Sequence, residues 1–327
     1  MNDFSQRILD WYAENGRDLP WRRTTTPYAV WLSEIILQQT RIAQGTAYWH
    51  RFMEHFPTVK DLADASEDRV LRLWEGLGYY SRARNLHKAA KQIVALGAFP
   101  DTLEGIRALQ GVGYYTAAAI GSICFGLPAA VVDGNVYRVL ARYFGLETPV
   151  GTTRAKKEFT ALAQKLLPQE APARFNQGMM DFGAIQCTPQ NPDCLTCPLQ
   201  GSCNAFQTGR THLLPVKKPA VKAQERLLNY IYVRYKGETA IRRRGPGDIW
   251  QGLYEPLVQT VPSGQLLRER VKHQLTHRTI LANFYLWEPS HRPALPEGYF
   301  WIKETELDAY AKPRLFELLL EQVKAAP

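Results

Sequence analysis

The chain is predicted to be multidomain, with an all-α region over residues 1–206 and a small α+β domain over residues 225–327. Three observations predict this. Through the first 206 positions apolar residues recur at three- and four-residue spacing, with no alternating strand pattern among them. The stretch 207–224, holding Gly209, Pro215, Pro219 and three lysines, has the texture of a linker lying outside either core. Beyond it the composition turns to β-branched and aromatic runs. A chain of 327 residues that is 45% hydrophobic can fill two cores.

Taken in order, helices are predicted over 4–14, 30–55, 67–75, 83–96, 115–125, 136–144 and 155–167, each bounded by Gly, Pro or Asp. In the second domain, LLNYIYVRYKGETAIRRR gives two β-rich runs around Lys236-Gly237-Glu238, and ILANFYLWEP gives a third strand. Helical spacing over 307–323 closes the chain. The N-terminus carries charges throughout and has no apolar signal core. The longest apolar stretch, 116–132, is broken by Gly121, Ser122, Gly126 and Pro128, so no membrane span is expected. Lys and Arg outnumber Asp and Glu by 40 to 31, which favours a polyanionic partner.

Cys187, Cys194, Cys197 and Cys203 follow one another as C-x6-C-x2-C-x5-C, and the only other cysteine is Cys124. Such clustering in a cysteine-poor chain marks a ligand set for a metal, and it implies a reducing, cytosolic compartment in which thiols stay free. Four thiolates suit either an iron-sulfur cluster or a tetrahedral zinc. Structural zinc commonly takes two C-x2-C knuckles, whereas only Cys194 and Cys197 have that spacing, so the pattern leans toward iron and sulfur.

Gly111-Val112-Gly113 sets two glycines in a tight turn opening onto an alanine-rich helix. Backbone N–H groups there can approach a phosphate, with the helix N-terminus adding favourable potential. This is the form of a helix-hairpin-helix, which grips DNA without reading sequence. Two carboxylates stand out by their surroundings. Glu34 lies among apolar neighbours (YAVWLSEIILQQT), where desolvation favours the protonated form, as a general acid needs. Asp133 opens Asp-Gly-Asn-Val-Tyr-Arg at a helix start, where an anion is favoured. Each has an ordinary structural reading, as an arginine's partner and as an N-cap. Together they offer an acid and an anion with pKa values pushed apart, as glycosidic cleavage through an oxocarbenium-like transition state requires.

The order L-P-W-R, W-L-S-E-x-x-L-Q-Q-T, G-L-G-Y-Y-x-R-A, G-V-G-x-Y-T, V-D-G-N-V and the four-cysteine run resembles the adenine DNA glycosylase branch of the endonuclease III superfamily, over residues 1–206. The resemblance implies a [4Fe-4S] cluster on the four cysteines. It implies a six-helix domain over 20–129, a cluster domain from 1–19 with 130–206, and DNA in the groove between them. Glu34 would protonate the flipped adenine at N7 and Asp133 would stabilise the sugar cation, with Tyr115 and Asn135 in support. Leu19, Trp21, Arg22 and Gln177 match residues lining the adenine pocket. Gln39, Leu77 and Tyr79 match residues that fill or wedge the duplex. Relatives that cut the strand carry a lysine where this chain has Tyr115, and a phenol forms no Schiff base, so hydrolysis without strand incision is expected.

The second domain resembles the Nudix-like module with which such enzymes recognise 8-oxoguanine. Residues 252–275 lack R-E-x-x-E-E, so magnesium-dependent hydrolysis is not expected. Thr276 and His277 fall where the family often has F-S-H, which implies contact with the oxidised base, although Leu275 and Thr276 depart from that pattern. Gln110 in place of a more usual proline and Tyr137 in place of a frequent lysine are further departures, expected to loosen the hairpin turn and to remove one phosphate contact. The implied partner is duplex DNA with 8-oxoguanine:adenine or guanine:adenine mispairs, met by a monomer in the cytoplasm at the nucleoid. The rival readings are a glycosylase for mismatched thymine or oxidised pyrimidines, and a non-catalytic iron-sulfur DNA-binding protein.

Overall fold

The structure is a computed structural model, and it describes residues 2–218, 224–275 and 278–326. Its helices in chain order are α1 (Asp3–Asn15), α2 (Pro27–Ile36), α3 (Ile42–His55), α4 (Val59–Asp64), α5 (Glu67–Leu73), α6 (Ser81–Leu96), α7 (Leu103–Ala108), α8 (Tyr114–Phe125), α9 (Gly134–Phe144), α10 (Thr153–Leu166), α11 (Pro172–Ile185), α12 (Asn204–Gln207) and α13 (Arg314–Ala325). The strands are β1 (Gln224–Val233), β2 (Glu238–Arg243), β3 (Tyr254–Val258), β4 (Gln265–Gln274), β5 (Arg278–Trp287) and β6 (Tyr299–Lys303). None of the described helices is long and apolar enough to cross a membrane.

By contact the chain forms two units. One comprises residues 1–63 with 88–219, the other residues 64–87 with 220–327. In the first, α1 and α9 pack on α11, and α2 packs on α8. Ile8 of α1, Val139 and Leu140 of α9, Phe159 of α10 and Phe175 and Phe182 of α11 fill one core. The predicted helix over 30–55 is interrupted between α2 and α3, where Gln39 takes a left-handed φ of 56°. A long polar side chain tolerates that conformation better than a β-branched one, and the turn is what Gln39 presents. Helix α11, absent from the predicted set, starts with Pro172 at its first position and carries Phe175, Met179 and Phe182 at helical spacing.

The stretch expected to lie outside either core docks instead over its first part. Leu214 is buried in the first unit's core, and Arg142 Nε donates to its carbonyl at 3.0 Å. Val150 N–H donates to the Val216 carbonyl at 2.9 Å. The short apolar run Leu213 to Val216, broken by Pro215, gave periodicity too little to detect.

The second unit holds one mixed sheet in the order β4-β5-β1-β3-β2-β6, with β1 and β5 parallel and the other pairs antiparallel. The two runs around Lys236-Gly237 are therefore not direct neighbours, because β3 lies between them. Leu315, Phe316, Leu319 and Val323 of α13 pack with Tyr230, Ile280 and Phe284 of the sheet. Pro313 confines that helix to its C-terminal side, so the first part of the helix predicted over 307–323 is instead the end of a 3-10 turn, Glu304–Ala309, and the residues after it. Residues 64–87 belong to this unit through polar ties. Arg243 Nη2 donates to Glu67 at 3.0 Å and Asp68 at 3.1 Å, Arg84 Nη1 to the Gln251 carbonyl at 2.6 Å, and Tyr80 OH to the Lys312 carbonyl at 3.3 Å.

Candidate active site

Glu34 is the only charged residue of α2, and apart from Pro27 every other residue of that helix is buried. Its carboxyl reaches a cavity of about 560 Å³, a size suited to a small organic ligand. Leu19, Trp21, Arg22 and Gln39 line it from the first forty residues, and Tyr115 lines it from α8. Asp133 and Asn135 enter from the start of α9, and Gln177 from α11.

Burial pushes Glu34 up to about 7, with the charge of Asp133 adding to the rise, while a hydrogen bond from Tyr115 and the Arg22 charge pull the other way. This matches the expectation of an acid protonated near neutrality. Arg22 is not its ion-pair partner, because its guanidinium donates to Asp181 at 2.6 and 2.8 Å. The Tyr115 phenol is raised well above its ordinary value by burial and by Glu34 and Asp133, so it stays a neutral donor.

Asp133 departs from expectation in one respect. It does cap α9, accepting from Val136 N–H at 2.8 Å, and Asn135 Nδ2 donates to its other oxygen at 2.8 Å. Burial nevertheless outweighs these bonds and the charge of Arg138, and the pKa lies above the ordinary aspartate value instead of below it. What separates the two acids is therefore not the sign of their shifts but the number of donors. Asp133 has backbone and amide donors to hold its anion, whereas Glu34 has one phenol.

Residues that sequence reasoning did not single out hold these groups in place. Asp181 is fully buried, and hydrogen bonds from Arg22 and Arg17 overcome the effect of burial and keep it below the usual carboxylate range. Arg138 is buried on α9. It donates to Asn135 Oδ1 at 2.8 Å, to the Gly183 carbonyl at 2.6 Å and to the Cys187 carbonyl at 2.7 Å. The bond to Oδ1 orients the Asn135 amide so that its nitrogen meets Asp133. No local pattern marks either residue; Arg138 looks like a solvated helical cation.

The hairpin lies between α7 and α8. Gly111 has a φ of 78°, which favours glycine, and Val112 is buried. Gly113 caps α8 without a side-chain acceptor, and a Cβ built there meets nothing within 4 Å. The space beside Gly113, at the start of α8, is thus open, as an approaching phosphate needs. The backbone N–H that Gln110 has in place of a proline donates to Gln92 Oε1 at 2.7 Å. Tyr137 packs on Phe159 with ring centroids 4.9 Å apart, so a core contact stands where a lysine was the alternative.

Cys187, Cys194, Cys197 and Cys203 line one small cavity beside α9. Arg142 ties the loop from that helix, donating to the Thr188 carbonyl at 2.7 Å and lying 3.4 Å from Cys187 Sγ. Burial raises the Cys194, Cys197 and Cys203 thiols, with neighbouring sulfurs adding to each rise. Among the described residues no three His, Cys, Asp or Glu side chains stand together as for a single ion. Four thiols around one cavity do fit a cluster, in which each sulfur takes its own iron.

Leu77 and Tyr79 lie in the second unit, on a turn where Gly76, Gly78 and Tyr79 have φ of 94°, 71° and 48°. Leu77 is buried, and Tyr79 is 48% exposed in a strained conformation for an aromatic residue. Thr276 and His277 lie outside the described residues; His273 just before them packs edge-on to Trp250 at 5.8 Å. The only acids in 252–275 are Glu255 and Glu269, and Glu255 is buried and held by Arg242 and Arg244. That carboxylate is committed to arginine rather than to magnesium.

Residues 32–169 match the family model of HhH-GPD superfamily base excision DNA repair proteins, 187–203 the iron-sulfur binding domain of endonuclease III, and 229–322 a NUDIX domain. The chain is 37% identical to an adenine DNA glycosylase of Buchnera aphidicola subsp. Acyrthosiphon pisum, over 77% of this chain and 73% of that one. It is 32% identical to another from Buchnera aphidicola subsp. Baizongia pistaciae, over 86% and 84%. With the Homo sapiens adenine DNA glycosylase it shares 44% identity over 62% of this chain and 39% of that one. Among solved structures, a thermostable thymine-DNA glycosylase superposes with a TM-score of 0.58 at 31% identity, over 63% of this chain and 95% of that one. An endonuclease III-DNA covalent intermediate superposes at 0.55 and 23% identity, over 63% and 94%, a likeness of fold.

Proposed function

Since the chain belongs to the adenine DNA glycosylase family, we propose that it flips adenine mispaired with 8-oxoguanine or guanine out of duplex DNA and releases it by hydrolysis. It is a DNA N-glycosylase of base excision repair, it binds DNA, and its four clustered cysteines hold a [4Fe-4S] cluster. When bound, the cluster supplies a rigid four-point tie for the loop over residues 187–203. The observation that carries the reading is the convergence of Glu34, Tyr115, Asp133 and Asn135 on one cavity.

In this reading adenine occupies that cavity between Leu19, Trp21, Arg22 and Gln177. Glu34, protonated near pH 7, gives its proton to N7 and makes the base a neutral leaving group. As the bond from N9 to C1′ breaks, the sugar gains positive charge, and the anion of Asp133 stabilises it. Asn135 and Tyr115 keep the two carboxyls in their separate roles, through the bonds described above. Water completes the reaction at C1′, because the cavity offers no amine in place of Tyr115 for a Schiff base. Gln39, Leu77 and Tyr79 fill the space that the base vacates, offsetting part of the unstacking cost. The hairpin amides of Gly111 to Gly113 hold the backbone. The residues around Thr276 and His277 read the base opposite, and the protein acts as a monomer in the cytoplasm, at the nucleoid.

The test incubates the protein with duplexes holding 8-oxoguanine:adenine, guanine:adenine, guanine:thymine or thymine glycol, and scores free base and strand breaks before and after alkali. Free adenine with breaks only after alkali is expected. Release of thymine or thymine glycol alone would replace this reading with another superfamily glycosylase, and breaks without alkali would overturn the role given to Tyr115.

A further inference from the structure

Tyr12 sits on α1 with its ring fixed from several sides. A Cβ on Gly16 would come within 2.8 Å of Tyr12 Cε2, and one on Gly178 within 3.1 Å of Tyr12 Cβ, so both glycines clear the space the tyrosine fills. The Arg22 guanidinium carbon lies 5.9 Å from the ring centroid, and Arg22 is itself clamped by Asp181. From this fixed ring the hydroxyl donates to Gln177 Oε1 at 2.6 Å, the one hydrogen bond that the Gln177 side chain makes among the described residues. Burial raises the phenol above its ordinary value, so it remains a donor across the working pH range.

A primary amide has one accepting and one donating end, and which end faces a ligand is set by whatever holds the other. With Oε1 held by Tyr12, the Gln177 NH2 is the end left to a base in the cavity that Gln177 lines. Resting on the function proposed above, we propose that Tyr12 is a positioning residue that sets the Gln177 amide to donate to N1 of the flipped purine, so that the pocket accepts a 6-aminopurine and opposes a 6-oxopurine. Adenine N1 is an unprotonated acceptor, whereas N1 of hypoxanthine and of guanine carries a hydrogen, which would face a second donor. A site built around one such hydrogen bond discriminates because the mismatched partner leaves both groups unpaired.

The experiment measures single-turnover excision of adenine and of hypoxanthine, each opposite 8-oxoguanine, by the whole protein with its cluster. Tyr12→Phe removes the hydroxyl and keeps the ring, freeing the amide to turn over and accept from N1–H. The ratio of adenine to hypoxanthine excision should fall about tenfold, the scale of one oriented hydrogen bond. In a Gln177→Ala background the same change should leave the ratio where Gln177→Ala alone puts it. Gln177→Glu, which keeps an acceptor for Tyr12 but has no NH2, should lower the ratio with Tyr12 in place, and so tests the idea even where Tyr12→Phe folds poorly. An unchanged ratio in folded Tyr12→Phe, or in Gln177→Glu, overturns the inference while leaving the adenine-excision reading intact. An equal fall in the Gln177→Ala background overturns it too, since Tyr12 would then act by another route. Failure of the unaltered protein to release adenine would instead sink the proposed function itself.

Discussion

Glu34→Gln should abolish excision and at the same time make the protein more stable at alkaline pH. The carboxyl rises from 4.5 to about 7 in the folded state, chiefly by burial. One pKa unit corresponds to about 1.4 kcal/mol, so ionising Glu34 in the fold costs on the order of 3 kcal/mol. The folded pKa lies above the unfolded one, so the folded state keeps its proton between pH 4.5 and 7 while the unfolded chain releases it. The stability that this proton represents is therefore full below pH 4.5 and lost as pH rises through 7. Glutamine carries no such dependence. Urea unfolding of the two proteins should coincide near pH 4.5 and diverge in favour of the variant by about 3 kcal/mol at pH 8. Single-turnover excision by the unaltered enzyme should fall about tenfold between pH 6 and pH 8, following the protonated fraction of a group titrating near 7. A flat rate over that range, or a variant no more stable at pH 8 than at pH 4.5 relative to the parent, would refute the desolvated-acid argument.

Three further outcomes are expected. Gly113→Ala should leave the urea midpoint nearly unchanged, since the added methyl meets nothing within 4 Å, yet weaken binding to undamaged duplex in a filter or anisotropy titration. Leu214→Ala should cost about 2–4 kcal/mol in chemical denaturation, because the leucine is 3% exposed in the first unit's core. Cys197→Ser should lower the iron content per chain and the visible absorbance of the purified protein, with excision lost to the extent that the 187–203 loop fails to order.

Much of the site was legible because its chemistry depends on local contrast. A lone glutamate in an apolar helix and an aspartate at a helix start can be seen in a string of letters, and the hairpin announces itself by two glycines. The helix over 30–55 broke at Gln39 because a single left-handed residue leaves the apolar spacing on either side intact. The downward shift expected for Asp133 failed for a different reason: an N-cap is a local feature, whereas burial, which outweighs it, depends on distant segments such as α11 packing against α9. Asp181, Arg138 and Tyr12 were invisible because each acts on a partner far along the chain, Arg138 reaching Cys187 and Tyr12 reaching Gln177. Strands β3, β4 and β6 escaped notice because they are short, or, in β4, largely exposed and charged.

The ties of residues 64–87 to the second unit bear on how the protein is made. Glu67, Asp68, Tyr80 and Arg84 find their partners at Arg243, Gln251 and Lys312, all of them beyond the start of β1 at Gln224. At roughly 5–20 residues per second, a ribosome needs on the order of ten seconds to pass from one segment to the other. During that interval Glu67, Asp68, Tyr80 and Arg84 wait for these partners, and a nascent chain halted before β1 would carry none of the four bonds.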